Sequence, residues 1–93
     1  MADIHIERCH ELGTEQARQT AENVAREMAG RFNLDYWWEQ NVLHFRRGGV
    51  SGRMEVEESA IRILVWLGLL MQPFRSRIGR EIDDYLQGLL EGG

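Results

Sequence analysis

Hydrophobic and polar residues alternate with a period of two in five stretches of the chain. In two other stretches, hydrophobic residues recur every three or four positions, which is the period of an amphipathic helix. A period of two predicts half-buried strands, because successive side chains of a strand point to opposite faces of a sheet. The helical pattern covers 14–32 and the segment that starts at Pro73. The five strand-like stretches are 3–9, 34–39, 42–47, 50–57 and 60–67. The predicted order is therefore β-α-β-β-β-β-α.

Short connections between the last four strand-like stretches predict an antiparallel meander. Gln40-Asn41 and Glu58-Ser59 are turns in this interpretation, and Gly48-Gly49 is a hairpin turn because glycine adopts positive φ without steric cost. Such a sheet commonly buries one face and exposes the other. We predict one two-layer α+β domain over residues 1–93, with both helices on one face of the sheet. The first strand can lie at an edge or in the interior, because a β-α-β connection allows both.

The helix boundaries are predicted from capping residues. Thr14 is the expected N-cap of the first helix, and Asn33 marks its end together with Gly30. Pro73 is expected at the first position of the second helix, where its missing N–H costs nothing. The inward stripe predicted for this helix consists of Phe74, Ile78, Ile82, Tyr85, Leu86 and Leu89.

The stretch 60–82 carries more apolar residues than one buried sheet face needs. Exposed apolar patches often mark contacts with a partner, a lipid or another apolar surface. The alternative is that the 69–71 segment, or a second copy of the chain, covers Leu64 and Trp66. The predicted interaction surface consists of Trp37, Leu64, Trp66, Leu69, Leu70, Met71, Arg75 and Arg77.

A basic cluster follows the apolar run directly and consists of Arg75, Arg77 and Arg80. Arginines beside apolar residues are typical of an interfacial helix that contacts an anionic surface. The opposing interpretation is that these arginines pair with acids further along the helix. Those acids are Glu81, Asp83 and Asp84.

Composition and charge exclude several classes of protein. The 93 residues are 43% hydrophobic with a net charge of −4, which indicates a folded domain and no general polyanion binder. Aromatics and arginines share the outward sheet face, but acids balance them there, so we predict cross-strand ion pairs and no nucleic-acid partner. The longest apolar run, 63–71, falls short of the roughly 20 residues of a transmembrane helix. A single cysteine and the lack of a signal peptide indicate the cytoplasm.

No motif predicts catalysis, a metal or a cofactor. His5, Glu7 and Cys9 share one side of the first strand, but residues at i and i+4 of a strand lie too far apart to share an ion. No base can be placed beside the Cys9 thiol. The glycine-rich segment 48–52 lacks the lysine and the following helix of a phosphate loop, and indicates a hairpin with a close-packed glycine.

Segments distributed over nearly the whole chain carry a family resemblance. They are Ile4-His5-Ile6-Glu7-Arg8 with His10, Leu12-Gly13 with Ala17-Arg18, Val42-Leu43-His44-Phe45-Arg46-Arg47, Gly49-Val50-Ser51-Gly52, Leu67-Gly68-Leu69-Leu70, Pro73-Phe74 and Ile78. In this order they resemble the small polyhydroxyalkanoic acid system proteins, which are encoded near polyhydroxyalkanoate genes in bacteria. The resemblance implies an accessory role in attachment to, or regulation of, polyester storage granules, and carries over no catalytic residue.

Three hypotheses of function follow. The first is a non-enzymatic accessory protein that binds the granule surface or a granule protein through an apolar patch. The second is a small homodimeric binding module unrelated to granules. The third, an enzyme acting on hydroxyacyl thioesters, is disfavoured because no nucleophile–base pair can be placed. A deep polar cavity around His44 or Cys9 would revive it.

Overall fold

A computed structural model of the protein describes residues 2–92, with side chains as far as Leu90. It contains five strands, two α-helices and a short 3-10 helix, and it confirms the predicted order and the two-layer α+β fold. The elements are β1 (Ile4–Cys9), α1 (Gly13–Phe32), β2 (Asp35–Glu39), β3 (Val42–Arg47), β4 (Val50–Val56), β5 (Ala60–Leu67), the 3-10 helix (Leu69–Phe74) and α2 (Arg75–Gly92).

The sheet has the strand order β1-β5-β4-β3-β2, and all neighbouring strands are antiparallel. The first strand lies at an edge beside β5, where Ile4 is opposite Val65 and Cys9 is opposite Ala60. Strand β5 therefore has a neighbour on each side and contributes to the centre of the sheet. All of its inward positions are apolar and buried.

Both helices cover the same face of the sheet, as predicted. Helix α1 contributes a face of small side chains, which permits close approach to the strands, while α2 contributes larger aliphatic ones. The hydrophobic core between the layers includes Ala17, Ala21, Val24, Ala25, Met28, Leu43, Met54, Ile61, Ile63, Val65, Ile78, Ile82 and Leu86. Phe74 departs from the predicted stripe of α2, because it lies in the 3-10 helix and 47% of its surface is exposed.

The start of α1 differs from the prediction that Thr14 caps it. The helix begins at Gly13, and Leu12 occupies the cap position without a side-chain cap. The backbone N–H of Leu12 donates to Nδ1 of His10 over 3.1 Å, so a histidine two residues earlier holds the residue at the cap position. The other end is confirmed, since Asn33 caps α1 in a left-handed conformation with φ 60°.

The start of α2 was also predicted wrongly, because Pro73 lies inside the preceding 3-10 helix. The chain turns immediately after β5, where the N–H of Gly68 donates to the Gly49 carbonyl and that of Met71 donates to the Gly68 carbonyl. A proline φ near −65° fits this tighter turn as well as it fits the first turn of an α-helix. Helical structure therefore starts at Leu69, ahead of the proline.

Candidate functional site

The sheet face away from the helices carries a ladder of ion pairs. Arg62 contacts Glu55 at 2.9 Å, Glu7 at 3.3 Å and Glu57 at 3.4 Å. Arg53 donates to Glu55 over 2.7 Å, and this hydrogen bond is the main cause that lowers the pKa of the Glu55 carboxyl. The predicted cross-strand pairs are therefore present. Each is partly exposed to solvent and contributes little to stability.

Three large side chains lie among these charges, and we call Trp37, Leu64 and Trp66 the sheet patch. Trp37 is 44% exposed and stacks on the His44 ring across the strand pair, with ring centroids 5.6 Å apart. The Arg53 guanidinium lies 5.2 Å from the centre of the Trp66 ring. Leu64 and Trp66 are half-buried.

A second apolar surface lies at the end of β5. Leu69 and Leu70 are 86% and 87% exposed, and the half-exposed Phe74 follows them. We call these three residues the terminal patch. Because both leucines point into solvent, the 69–71 segment does not fold over Leu64 and Trp66, and this part of the alternative is wrong.

The basic cluster borders the terminal patch, with Arg75, Arg77 and Arg80 all exposed. Pairing with the following acids was predicted wrongly, because two of these acids contact other elements. Glu81 pairs with Arg31 of α1, and Asp83 pairs with Arg8 of β1. Among the side chains as far as Leu90, none of the three arginines is in an ion pair. The pKa of the Asp3 carboxyl is lowered mainly by its hydrogen bonds with Leu67 and Gln72, and the charge of Arg75 makes a smaller contribution in the same direction.

The predicted interaction surface is thus distributed over three places. Trp37, Leu64 and Trp66 form the sheet patch, while Leu69 and Leu70 belong to the terminal patch with Arg75 and Arg77 beside it. Met71 lies apart from both, because its side chain packs against the hydrophobic core.

An apolar cavity of about 160 Å³ lies between the helices and the sheet. Its walls come from both helices and from β3, β4 and β5, and Met71 lines it as well. Arg47 and Gly48 are the exposed members of the lining, so the cavity meets solvent at the hairpin between β3 and β4. An enclosed void of this size would cost on the order of 4 kcal/mol.

Sequence reasoning missed this cavity. The signal available was the alanine-rich face of α1, which occupies little volume opposite the sheet. Small residues on α1 are equally compatible with close packing of the helix against the sheet. Only the distance between the helices and the sheet decides whether the space between them is filled or contains a cavity. The cavity is therefore a property of the assembled layers.

Sequence reasoning also missed a polar contact that ties α1 to the edge strand β2. The Tyr36 hydroxyl and the Trp38 indole N–H donate to the Glu22 carboxylate over 2.7 and 2.8 Å. These bonds, the one from Trp38 above all, lower the pKa of the Glu22 carboxyl. The Arg18 guanidinium covers the Trp38 ring at 4.2 Å. Both aromatic side chains therefore serve the packing of the edge strand.

The remaining candidates for chemistry lie on exposed sides of the sheet. His5, Glu7 and Cys9 face solvent on β1, and the Cys9 thiol is free. His44 lies on the open face, with Nε2 2.8 Å from Glu39 Oε1. Among the side chains described as far as Leu90, no group of three or more histidine, cysteine or acidic residues is arranged to hold a metal ion. No helix in this part of the chain is long and apolar enough to cross a membrane.

The fold and its surfaces define a small two-layer α+β domain with one open sheet face. A family model described as "Putative polyhydroxyalkanoic acid system protein" matches residues 4–90, and the chain belongs to this family. This confirms the resemblance carried by the ordered segments. No curated protein and no solved structure matched the chain in the corresponding comparisons.

Proposed function

We propose that the protein is a non-enzymatic accessory protein of bacterial polyhydroxyalkanoate granules. It attaches to the granule surface, or to a protein on that surface, through the terminal patch. The observation that carries the proposal is the exposure of Leu69 and Leu70, at 86% and 87%, in a chain that belongs to the polyhydroxyalkanoic acid system family. A non-enzymatic role is supported by the exposure of Cys9 and by the position of the half-buried His44 on the open sheet face, because thioester chemistry would need enclosed surroundings.

The physical chemistry of the terminal patch suits an apolar surface with a polar boundary. The transfer of a large apolar side chain from water into apolar surroundings contributes about 1.5–3 kcal/mol to the free energy of binding. Arg75 and Arg77 follow the patch directly and keep their guanidinium groups in water or against anionic groups at the boundary. Leucines that insert and arginines that remain outside are the arrangement expected of a peripherally bound segment.

Co-sedimentation with isolated granules tests this attachment. We expect wild-type protein in the granule fraction and a decrease of about tenfold or more in bound protein for Leu70→Asp, because a carboxylate cannot enter an apolar surface without a large desolvation cost. Since Leu70 is exposed, the variant should fold normally.

Ser59→Asp is the matched control, since it adds the same charge at an exposed turn at the opposite end of β5. It should bind granules like the wild type. Recovery of wild-type protein only in the soluble fraction, with and without the other granule proteins, would contradict the proposal. Equal losses in the two variants would contradict the role of the terminal patch.

A second candidate, a homodimer, is favoured by the sheet patch. Trp37, Leu64 and Trp66 present apolar surface within alternating arginines and glutamates, so a second copy related by a twofold axis could meet opposite charges. If the sheet patch is the interface between two subunits, the protein is a small homodimeric binding module, and this function does not depend on granules.

Sedimentation velocity at several concentrations tests the dimer. We expect a wild-type dimer and a folded Trp66→Glu monomer, because the introduced carboxylate would be buried without a partner in the interface. Ser59→Asp should remain dimeric. A monomeric wild-type protein at every concentration would exclude this interface, whereas a dimer that never binds granules would favour the module unrelated to granules.

A further inference from the structure

We propose that the cavity between the two layers is a binding site for a short, linear aliphatic carboxylate, with the carboxylate at Arg47 and the alkyl chain inside. This site is separate from the terminal patch and does not depend on granule attachment. It rests on the lining of the cavity, on the location of its mouth and on the orientation of one arginine.

The lining suits an alkyl chain. Nine of the lining residues are buried and apolar, and they come from both helices and three strands. The half-buried members are also apolar: Phe32, Leu34, Val50 and Met71. Protein interiors rarely contain voids much larger than a water molecule, so 160 Å³ of apolar space is unusual for a domain of 93 residues. A dry cavity of about this size is known to accept benzene, which indicates a ligand of about six carbon atoms.

The mouth is marked by a charged residue on the inward side of a strand. Strand alternation places Arg47 on the same side as Leu43 and Phe45, whereas Arg46 faces the open side. Arg47 donates one hydrogen bond to the Asn33 carbonyl over 3.2 Å and is in no ion pair with a described side chain. Its guanidinium therefore has donors left for an anion at the entrance.

Charge and shape together select the class of ligand. Guanidinium groups bind carboxylates through charge-assisted and often bidentate hydrogen bonds. Because Arg47 is the only charged residue among the described residues of the lining, the anionic end of a ligand stays at the mouth and its alkyl chain points inward. A chain much longer than the cavity could not keep its carboxylate at Arg47, so affinity should stop rising with chain length.

Methionine methyl groups allow direct detection, since Met28, Met54 and Met71 all line the cavity. Protein labelled with carbon-13 at the methionine methyls is titrated with butyrate, hexanoate, octanoate and 1-hexanol. We expect saturable shifts of these three signals with hexanoate. From butyrate to hexanoate the affinity should rise about fourfold per methylene, and octanoate should bring no further gain.

Arg47→Gln and Arg46→Gln form a matched pair of neighbouring, exposed arginines on opposite sides of β3. Arg47→Gln should weaken hexanoate about tenfold and leave 1-hexanol unchanged, while Arg46→Gln should change neither. The proposal is overturned if hexanoate shifts none of the three methyl signals, if 1-hexanol binds as tightly as hexanoate, or if the two variants weaken hexanoate equally.

Discussion

Replacing Gly52 by alanine is expected to destabilise the protein by about 3 kcal/mol, because it overpacks the centre of the sheet. Gly52 is buried in β4 on the helix side, where the Phe45 ring lies against it. An added Cβ would lie 2.5 Å from both the Leu64 carbonyl oxygen and Phe45 Cζ. The carbonyl belongs to the neighbouring strand and cannot move without disturbing the hydrogen bonds between β4 and β5. Urea denaturation of both proteins measures the loss.

Gly30→Ala is the control for this prediction. Gly30 lies near the end of α1, and a Cβ there would have nothing within 4 Å. Alanine should stabilise the protein by about 0.5–1 kcal/mol, because glycine loses more backbone entropy in a helix. If Gly52→Ala were tolerated as well as Gly30→Ala, the result would contradict the close packing of the Phe45 ring against β4.

Leu86→Ala is expected to cost about 3 kcal/mol, within the range for leucines removed from well-packed cores. Leu86 is fully buried in α2 and is among the larger side chains of the core. Its truncation removes contacts that hold α2 on the sheet and leaves a void between the layers. The midpoint of urea denaturation should decrease without loss of the native fold at low denaturant.

Leu69→Ala is the control, because it makes the same substitution at an exposed leucine. Because Leu69 is 86% exposed, the change should alter the free energy of unfolding by less than about 0.5 kcal/mol. Similar losses for both leucines would mean that the 3-10 helix packs against the domain and that the terminal patch is covered. This pair therefore tests the exposure on which granule attachment depends.

Much of the fold could be predicted from local pattern. The alternation in β3 and β5 and the Gly48-Gly49 turn determined the meander, because the register of a hairpin follows from its turn and its buried face. The helix ends were predicted less well. Thr14 is a residue type that often caps helices, but the helix begins at Gly13, and Leu12, whose N–H donates to the His10 imidazole, occupies the cap position. A helix start of this kind is recognised only when the local chain path is known.

The candidate surfaces could be predicted only in part. An excess of apolar residues over the needs of one sheet face correctly pointed to Leu64, Trp66, Leu69 and Leu70 as residues outside the core. The same reasoning could not separate them into two patches. Nor could it show that Met71 turns inward, because the direction of a side chain in the 3-10 helix depends on how that helix meets the sheet.

By itself, the sequence determined the order of elements, the inward and outward sides of each strand and the family, since these depend on residue types at short spacing and on their order. The tertiary structure decided the rest. It placed β1 at the edge beside β5, paired Glu81 and Asp83 with Arg31 and Arg8, and left an apolar cavity with Arg47 at its mouth. These features depend on distances between residues far apart in the chain, which only the packing of the helices on the sheet determines.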